Sequence, residues 1–326
     1  MMCVKAAVPR AGWWRRVISL GLPTLWGAVA IIFAVGTGLV VHGRRALLRE
    51  LRQARRVAGA AQSVLLRPLP PRVDGLTVAA AQMSADRGAT IGGDLYEVVA
   101  TEHGVRVVMG DVRGHGLAAI GTAAAVLGGF REAVHDEPDL GGVLRRLDRA
   151  LARHLRGRAE RDGTDSEEFA TVLVLEIGAG GELRALNCGH PWPYLLSGSV
   201  VEPLSCADPM PPLGPFPLPG DLPGLHCGHL LPGETLVLHT DGAEDARDAH
   251  GRFFSLAECL QGAAEAPPQA VLGRVFTALL DHTGGTPKDD VALLVLRNDR
   301  QLQPTQGARG TARATTSHPQ PTTHLT

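Results

Sequence analysis

Apolar positions fall first into one long unbroken block and then into many short runs. No charge interrupts Val17 to Val41, 25 positions that would make roughly 37 Å of helix at about 1.5 Å per residue, enough to span a bilayer. Trp13 and Trp14 stand at one edge beside Arg15 and Arg16, while Arg44, Arg45, Arg49, Arg52, Arg55 and Arg56 follow the other. The heavier cationic side assigns the C-terminal bulk to the cytoplasm, so the pattern predicts a single-pass protein of the cell membrane. A cleaved signal peptide is the rival; the long run, the arginines and the lack of a small-x-small cleavage site speak against it.

From Arg44 to Leu66, Ala46, Leu47, Leu51, Val57, Ala58, Ala61 and Leu65 are spaced for one face of a helix, which Pro68 and Pro70 end. This helix reads either as a spacer or as a dimerising, regulatory element. The pattern then changes to strands: Leu76–Gln82, Asp94–Ala100 and Gly104–Met109. Helices are expected over Leu117–His135 and Leu140–Leu155, followed by a charged, flexible stretch from Gly157 to Glu167. Strands return at Phe169–Ile177, Glu182–Asn187, Tyr194–Ser197 and Val200–Leu204. Seven prolines between Cys206 and Cys227 predict a long surface loop. A strand at Thr235–His239, helices at Leu256–Ala264 and Gln269–His282 and a strand at Val291–Leu296 complete the series. Such hairpin-like pairing predicts an α+β domain with antiparallel sheets covered by helices, not a parallel nucleotide-binding sheet.

The expected organisation is a basic segment 1–16, a transmembrane helix 17–41, a juxtamembrane linker helix 42–70, a main domain 71–297 and a disordered tail 298–326. A net charge of −1 over 326 residues gives no basic footprint for nucleic acid, so no nucleic-acid partner is expected. The five cysteines are odd in number and widely spaced, which predicts neither a disulfide framework nor a zinc site and points to a reducing compartment.

Candidate chemistry gathers where acidic residues meet strand ends. Asp111 closes an apolar strand and opens Gly110-Asp111-Val112-Arg113-Gly114-His115-Gly116, a turn whose glycines allow close backbone approach to a ligand. Asp241 in Thr240-Asp241-Gly242 and the Asp289-Asp290 pair before Val291 are further strand-end carboxylates, a donor type suited to hard cations.

These stretches, with Ile91-Gly92-Gly93-Asp94-Leu95-Tyr96 and Asn187-Cys188-Gly189-His190-Pro191, resemble in order the motifs of metal-dependent PPM-type serine/threonine phosphatases, in particular the bacterial SpoIIE and RsbU branch. The resemblance covers about Gln62 to Arg297 and implies an αββα sandwich holding two Mn²⁺ or Mg²⁺ ions. It implies that Asp111 bridges both ions with help from the Val112 carbonyl. Asp241 and Asp289 would complete one ion's shell, with Asp290 the competitor to Asp289, and Asp94 would bind directly or through water. A hydroxide shared by the ions would attack phosphoserine or phosphothreonine in line. From the residues themselves, Arg113 is either a contact for substrate phosphate or an exposed loop arginine, and His115 is a candidate acid for the leaving oxygen; Asn187 and His190 shape a turn, and Cys188 packs inertly. The chain departs from the family's usual residues at Leu95, Glu97, Arg113 and Ala292. The expected substrate is a phosphorylated regulator of the anti-anti-sigma type, and the 44–66 helix is the candidate homodimer contact. A non-catalytic binding module and a hydrolase of other phosphoesters are the competing functions.

Overall fold

The computed structural model describes Trp26, residues 33–50, Gln53 and residues 65–83, 92–114, 116–162, 168–285 and 287–300. Residues 33–50 form a helix, α1, whose apolar side chains Phe33, Val35, Leu39 and Val40 are exposed. Most of the expected transmembrane span and of the 44–66 helix lies outside the described residues. Beyond Leu66 the chain leaves the helix, as Pro68 and Pro70 require.

Two antiparallel sheets form the centre. The first contains β1 (Arg72–Val73), β2 (Leu76–Met83), β7 (Tyr194–Ser197), β8 (Val200–Pro203), β10 (Thr235–His239) and β11 (Val291–Asn298), in the order β1-β2-β11-β10-β7-β8. The second contains β3 (Leu95–Thr101), β4 (Gly104–Val112), β5 (Ala170–Ile177), β6 (Glu182–Cys188) and β9 (Leu225–His229), in the order β3-β4-β5-β6-β9. Central strands β4, β5 and β11 are buried on both faces and mostly apolar, because each sheet is covered twice, by its partner sheet and by helices. Val105, Val107, Leu173, Leu175, Leu294 and Leu296 pack between the sheets. Helices α2 (Leu117–Asp136) and α3 (Leu140–Asp162) cover the second sheet through Val126, Phe130, Leu144 and Leu147. The first is covered by α4 (Leu256–Leu260) and α5 (Pro268–Thr283), through Leu260, Val271, Val275 and Leu279. This is the expected α+β sandwich, with helices outside both sheets.

Among the described residues, the one helix long and apolar enough to cross a membrane is α2, and 56% of its apolar window is buried inside the sandwich. Its hydrophobicity serves the core. One polar anchor holds it: Arg106 on β4 is completely buried and pairs with its cross-strand neighbour Glu176 at 2.9 Å. Its other guanidinium nitrogens donate to the carbonyls of Val134 (2.9 Å), Glu137 (2.6 Å) and Pro138 (3.1 Å), which satisfies the C-terminal end of α2 and places positive charge there. Arg131 likewise pairs with Glu97 and donates to the Leu65 carbonyl at 2.8 Å, tying the entering chain to the domain.

Several expectations are corrected. Cys206 and Cys227 form a disulfide, with Cα atoms 5.2 Å apart, because the proline-rich loop doubles back; cysteine spacing therefore carries no argument for a reducing compartment. The loop also ends earlier than expected, since Leu225 already begins β9. Helix α3 runs on to Asp162 through the charged stretch, helped by the Arg158–Glu168 pair at 2.6 Å. Helix α4 stops at Leu260 because Gly262, at φ 71°, reverses the chain. Strand β11 continues to Asn298, and Arg300 pairs with Asp74 at 2.7 Å, so these residues belong to the sandwich and not to a tail starting at residue 298.

Replacing Arg106 with Met strands three carbonyls in the core and leaves the Glu176 carboxylate with only its longer, 3.7 Å pairing to Arg184. The expected cost is about 3–5 kcal/mol of unfolding free energy, measured by urea denaturation. A loss below about 1 kcal/mol would show that water reaches this end of α2.

Candidate active site

Four strand ends meet at one edge of the sandwich. Asp94 immediately precedes β3, Asp111 is the penultimate residue of β4, Asp241 opens a 3-10 turn (Asp241–Ala243) after β10, and Asp289 and Asp290 precede β11. Glycines make this convergence sterically feasible. A Cβ on Gly92 would lie 2.0 Å from the Asp290 carboxylate, one on Gly93 would lie 2.2 Å from the Val112 carbonyl oxygen, and one on Gly242 would lie 2.0 Å from the Asp290 carbonyl oxygen. The β3 and β4 ends are further joined by the Val112 amide donating to the Gly93 carbonyl at 3.2 Å. Past Asp111 the chain turns through Gly114 and Gly116, at φ 112° and 79°, before α2 begins.

The two sheets touch here through Thr240. Its hydroxyl donates to Asp94 Oδ2 at 3.4 Å and accepts from the Ala292 amide at 2.9 Å, so one side chain links β10, β11 and the carboxylate that leads into β3. Thr171 on β5 plays the comparable part for Asp111, accepting its amide at 3.2 Å.

Electrostatics sets this cluster apart. Asp94 is only 4% exposed, and its carboxyl is held far above the usual carboxylate range by burial and then by Asp111, Asp290, Asp241 and Asp289. Asp111 is pushed up to about 7 by burial and by Asp241, Asp289 and Asp290. Asp241 reaches the surface yet is raised too, by partial desolvation and then by Asp289 and Asp245. The Asp289 carboxylate accepts the Asp290 amide at 2.8 Å. Asp290 acts on Asp94 more strongly than Asp289 does, and the order reverses at Asp111, so both members of the pair belong to the cluster.

Among the described residues, no three His, Cys, Asp or Glu side chains already stand as a group that could hold one ion. The donor set nevertheless suits a hard divalent cation. It consists of carboxylates and a backbone carbonyl, its members repel one another, and its glycines let Asp290 and the Val112 carbonyl come closer than any Cβ would allow. Positive charge is what this arrangement lacks.

Arg113 is exposed, with its amide bonded to the Phe169 carbonyl at 2.9 Å and its guanidinium 5.3 Å from the centre of the Phe169 ring. His115 and Ile91 lie outside the described residues. Asn187 and His190 close a turn, as expected: the Asn187 amide group donates to the His190 carbonyl and its oxygen accepts the His190 amide, both at 2.8 Å. Cys188 is fully buried, and burial pushes its thiol up to about 12, which keeps it protonated. Thr171 and the Tyr194–Glu244 hydrogen bond (2.6 Å), whose tyrosine ring stacks on His239, escaped the sequence reading. A threonine or tyrosine on a strand carries no local sign of such a role.

The fold matches solved structures of PP2C phosphatase domains. The SiaA PP2C domain of Pseudomonas aeruginosa has a TM-score of 0.57 at 19% identity, over 78% of this chain and 98% of that one. The RsbU and RsbW domains of a Mycobacterium tuberculosis protein score 0.55 at 24% identity, over 70% of this chain and 61% of that one. The PP2C domain of SpoIIE from Bacillus subtilis, with a fragment of its regulatory domain, scores 0.54 at 15% identity, over 69% and 64%. The chain thus spans less than two thirds of the latter two. The fold is that of the PPM class, whose homologues are metal-dependent serine/threonine phosphatases with an Mn²⁺ or Mg²⁺ two-metal centre, and a family-model match sets this chain among them. Within that class the chain belongs to the stage II sporulation protein E (SpoIIE) family, whose model matches residues 101–299.

The raised Asp111 carboxyl has a stability consequence in chelator. Between the ordinary 3.8 and about 7 the folded chain keeps a proton that the unfolded chain releases, so this residue's contribution to folding is lost as pH rises through about 7. Asp111→Asn is neutral at every pH. It should therefore melt higher than wild type near pH 8 without metal, and the gap should shrink towards pH 4. A pH-independent gap in thermal melts would contradict the assignment.

Proposed function

We propose that the chain is a membrane-anchored protein phosphatase that removes phosphate from phosphoserine or phosphothreonine on a regulatory protein partner. The observation that carries this reading is the convergence of Asp94, Asp111, Asp241 and the Asp289-Asp290 pair from both sheets onto one glycine-floored edge. Asp111, the Val112 carbonyl, Asp94, Asp241 and Asp289 would hold two Mn²⁺ or Mg²⁺ ions, with Asp290 packed beside Gly92. When bound, the ions supply Lewis acidity that lowers the pKa of water and offset the charge of the phosphoryl oxygens. Asp111 would fix the position of the ions, and Asp94, holding an ion through water, would orient the attacking water and take up its proton. Arg113, two residues past Asp111, would meet substrate phosphate through its planar fork of donors, and His115 would protonate the leaving oxygen.

An anti-anti-sigma-type phosphoprotein is the proposed target, a reading supported by family membership and by the solved relative that carries an RsbU and an RsbW domain. Anchoring rests on the uncharged Val17–Val41 run, and the arginines after it support a cytoplasmic domain. Dimerisation through residues 44–66 rests on their apolar spacing. A domain on the oxidising side is the second reading for location, favoured by the Cys206–Cys227 disulfide.

Full-length chain in detergent should hydrolyse an aryl phosphate and a phosphoserine peptide with Mn²⁺ or Mg²⁺ and lose that activity in chelator. Asp111→Asn and Asp241→Asn should each reduce turnover about a hundredfold or more. Full metal-dependent turnover in Asp111→Asn would sink the site assignment. For location, a reporter fused after Arg300 that fluoresces only in the cytoplasm should be bright, and a dark one would favour the oxidising side.

A further inference from the structure

Thr171 and His190 lie outside the carboxylate set, yet they form a chain that ends on it. Strands β4 and β5 pair with Asp111 opposite Thr171, and the Thr171 hydroxyl accepts the Asp111 amide at 3.2 Å. That hydroxyl has one proton to give. Two acceptors are within reach, His190 Nδ1 at 3.0 Å and the Asp111 carbonyl at 3.4 Å, and the shorter contact is to the imidazole. The imidazole has little freedom. Its backbone is pinned on both sides by the Asn187 side chain, Pro191 follows it, and the residue is 3% exposed. Burial also holds its pKa down to about 3, so the ring is neutral, and the tautomer with its N–H at Nε2 leaves Nδ1 as the acceptor that faces Thr171.

We propose that His190 is a positioning residue: by taking the Thr171 proton it locks the hydroxyl as acceptor of the Asp111 amide, which sets the direction of the Asp111 carboxylate and the Val112 carbonyl. The proposal rests on the reading of those two groups as metal-holding. It assigns work to the Asn187–Pro191 motif that the turn alone does not explain. Without the imidazole the hydroxyl proton loses its fixed direction, its lone pair is no longer held on the line to the Asp111 amide, and the β4 end loosens just where a carboxylate must resist repulsion from its neighbours.

The test uses the full-length chain in detergent and the variants Thr171→Val, His190→Leu and His190→Asn. Asn places an amide oxygen near the former Nδ1 position and should rescue. Two readouts besides turnover are taken: Mn²⁺ affinity by calorimetry, and hydrogen exchange at the Asp111 amide in chelator. Thr171→Val and His190→Leu should each weaken Mn²⁺ binding about tenfold and speed Asp111 exchange with no change at the Arg106 amide, while His190→Asn stays near wild type. The double variant Thr171→Val/His190→Leu should be no worse than either single one. Affinity and exchange within twofold of wild type in Thr171→Val, or additive effects in the double variant, would overturn the proposal. If His190→Leu does not fold, the contrast between Thr171→Val and His190→Asn decides, and equal values in those two overturn it. Wild-type chain that binds no Mn²⁺ overturns the site reading and the metal half of this proposal, leaving Asp111 exchange to judge the hydrogen-bond chain by itself.

Discussion

Mutual repulsion among carboxylates at one edge of the sandwich is the constraint on which the rest of the structure depends. Burial first, and then the neighbouring carboxylates, Asp289 among them at all three, raise the proton affinity of Asp94, Asp111 and Asp241. A fold can tolerate such a cluster only if its backbone is held from behind. The supports are visible: Thr240 bridges the sheets, Thr171 takes the Asp111 amide, and the Val112 amide bonds to Gly93. Stability given up at the carboxylates is recovered in the three apolar layers behind them.

The double cover of the sheets serves the same end. Strands β4 and β11 deliver carboxylates to the edge, and both are buried on two faces, so their ends move little relative to one another. Arg106 extends this rigidity to α2, whose N-terminus follows the glycine turn that starts at Asp111. The strand that carries the central carboxylate thus also carries the arginine that anchors the neighbouring helix. Catalytic geometry and core packing share one strand.

The proline-rich segment between Cys206 and Cys227 belongs to this scaffold as well. Leu213 exchanges backbone hydrogen bonds with Ala170, next to Thr171, and the Met210 amide donates to the Asn187 carbonyl. The disulfide closes that segment where it turns into β9. It therefore braces the outer side of β5 and the His190 turn.

Much of this architecture was legible before any coordinates. Short apolar runs bounded by turn residues located most of the strands, because a strand covered on both faces must be apolar whatever its partner. Strand-end aspartates beside glycine marked the site, since carboxylates in such turns answer a local chemical demand. Tertiary contacts decided the rest. The β1 and β9 edges were too short or too proline-flanked to show a period, and α4 was cut short by a glycine inside an otherwise helical run. Cysteine pairing, the burial of Arg106 and the Thr171–His190 contact each join positions far apart along the chain. No local pattern encodes such meetings, because the free energy that favours them exists only once both sheets have formed and water has left the space between them.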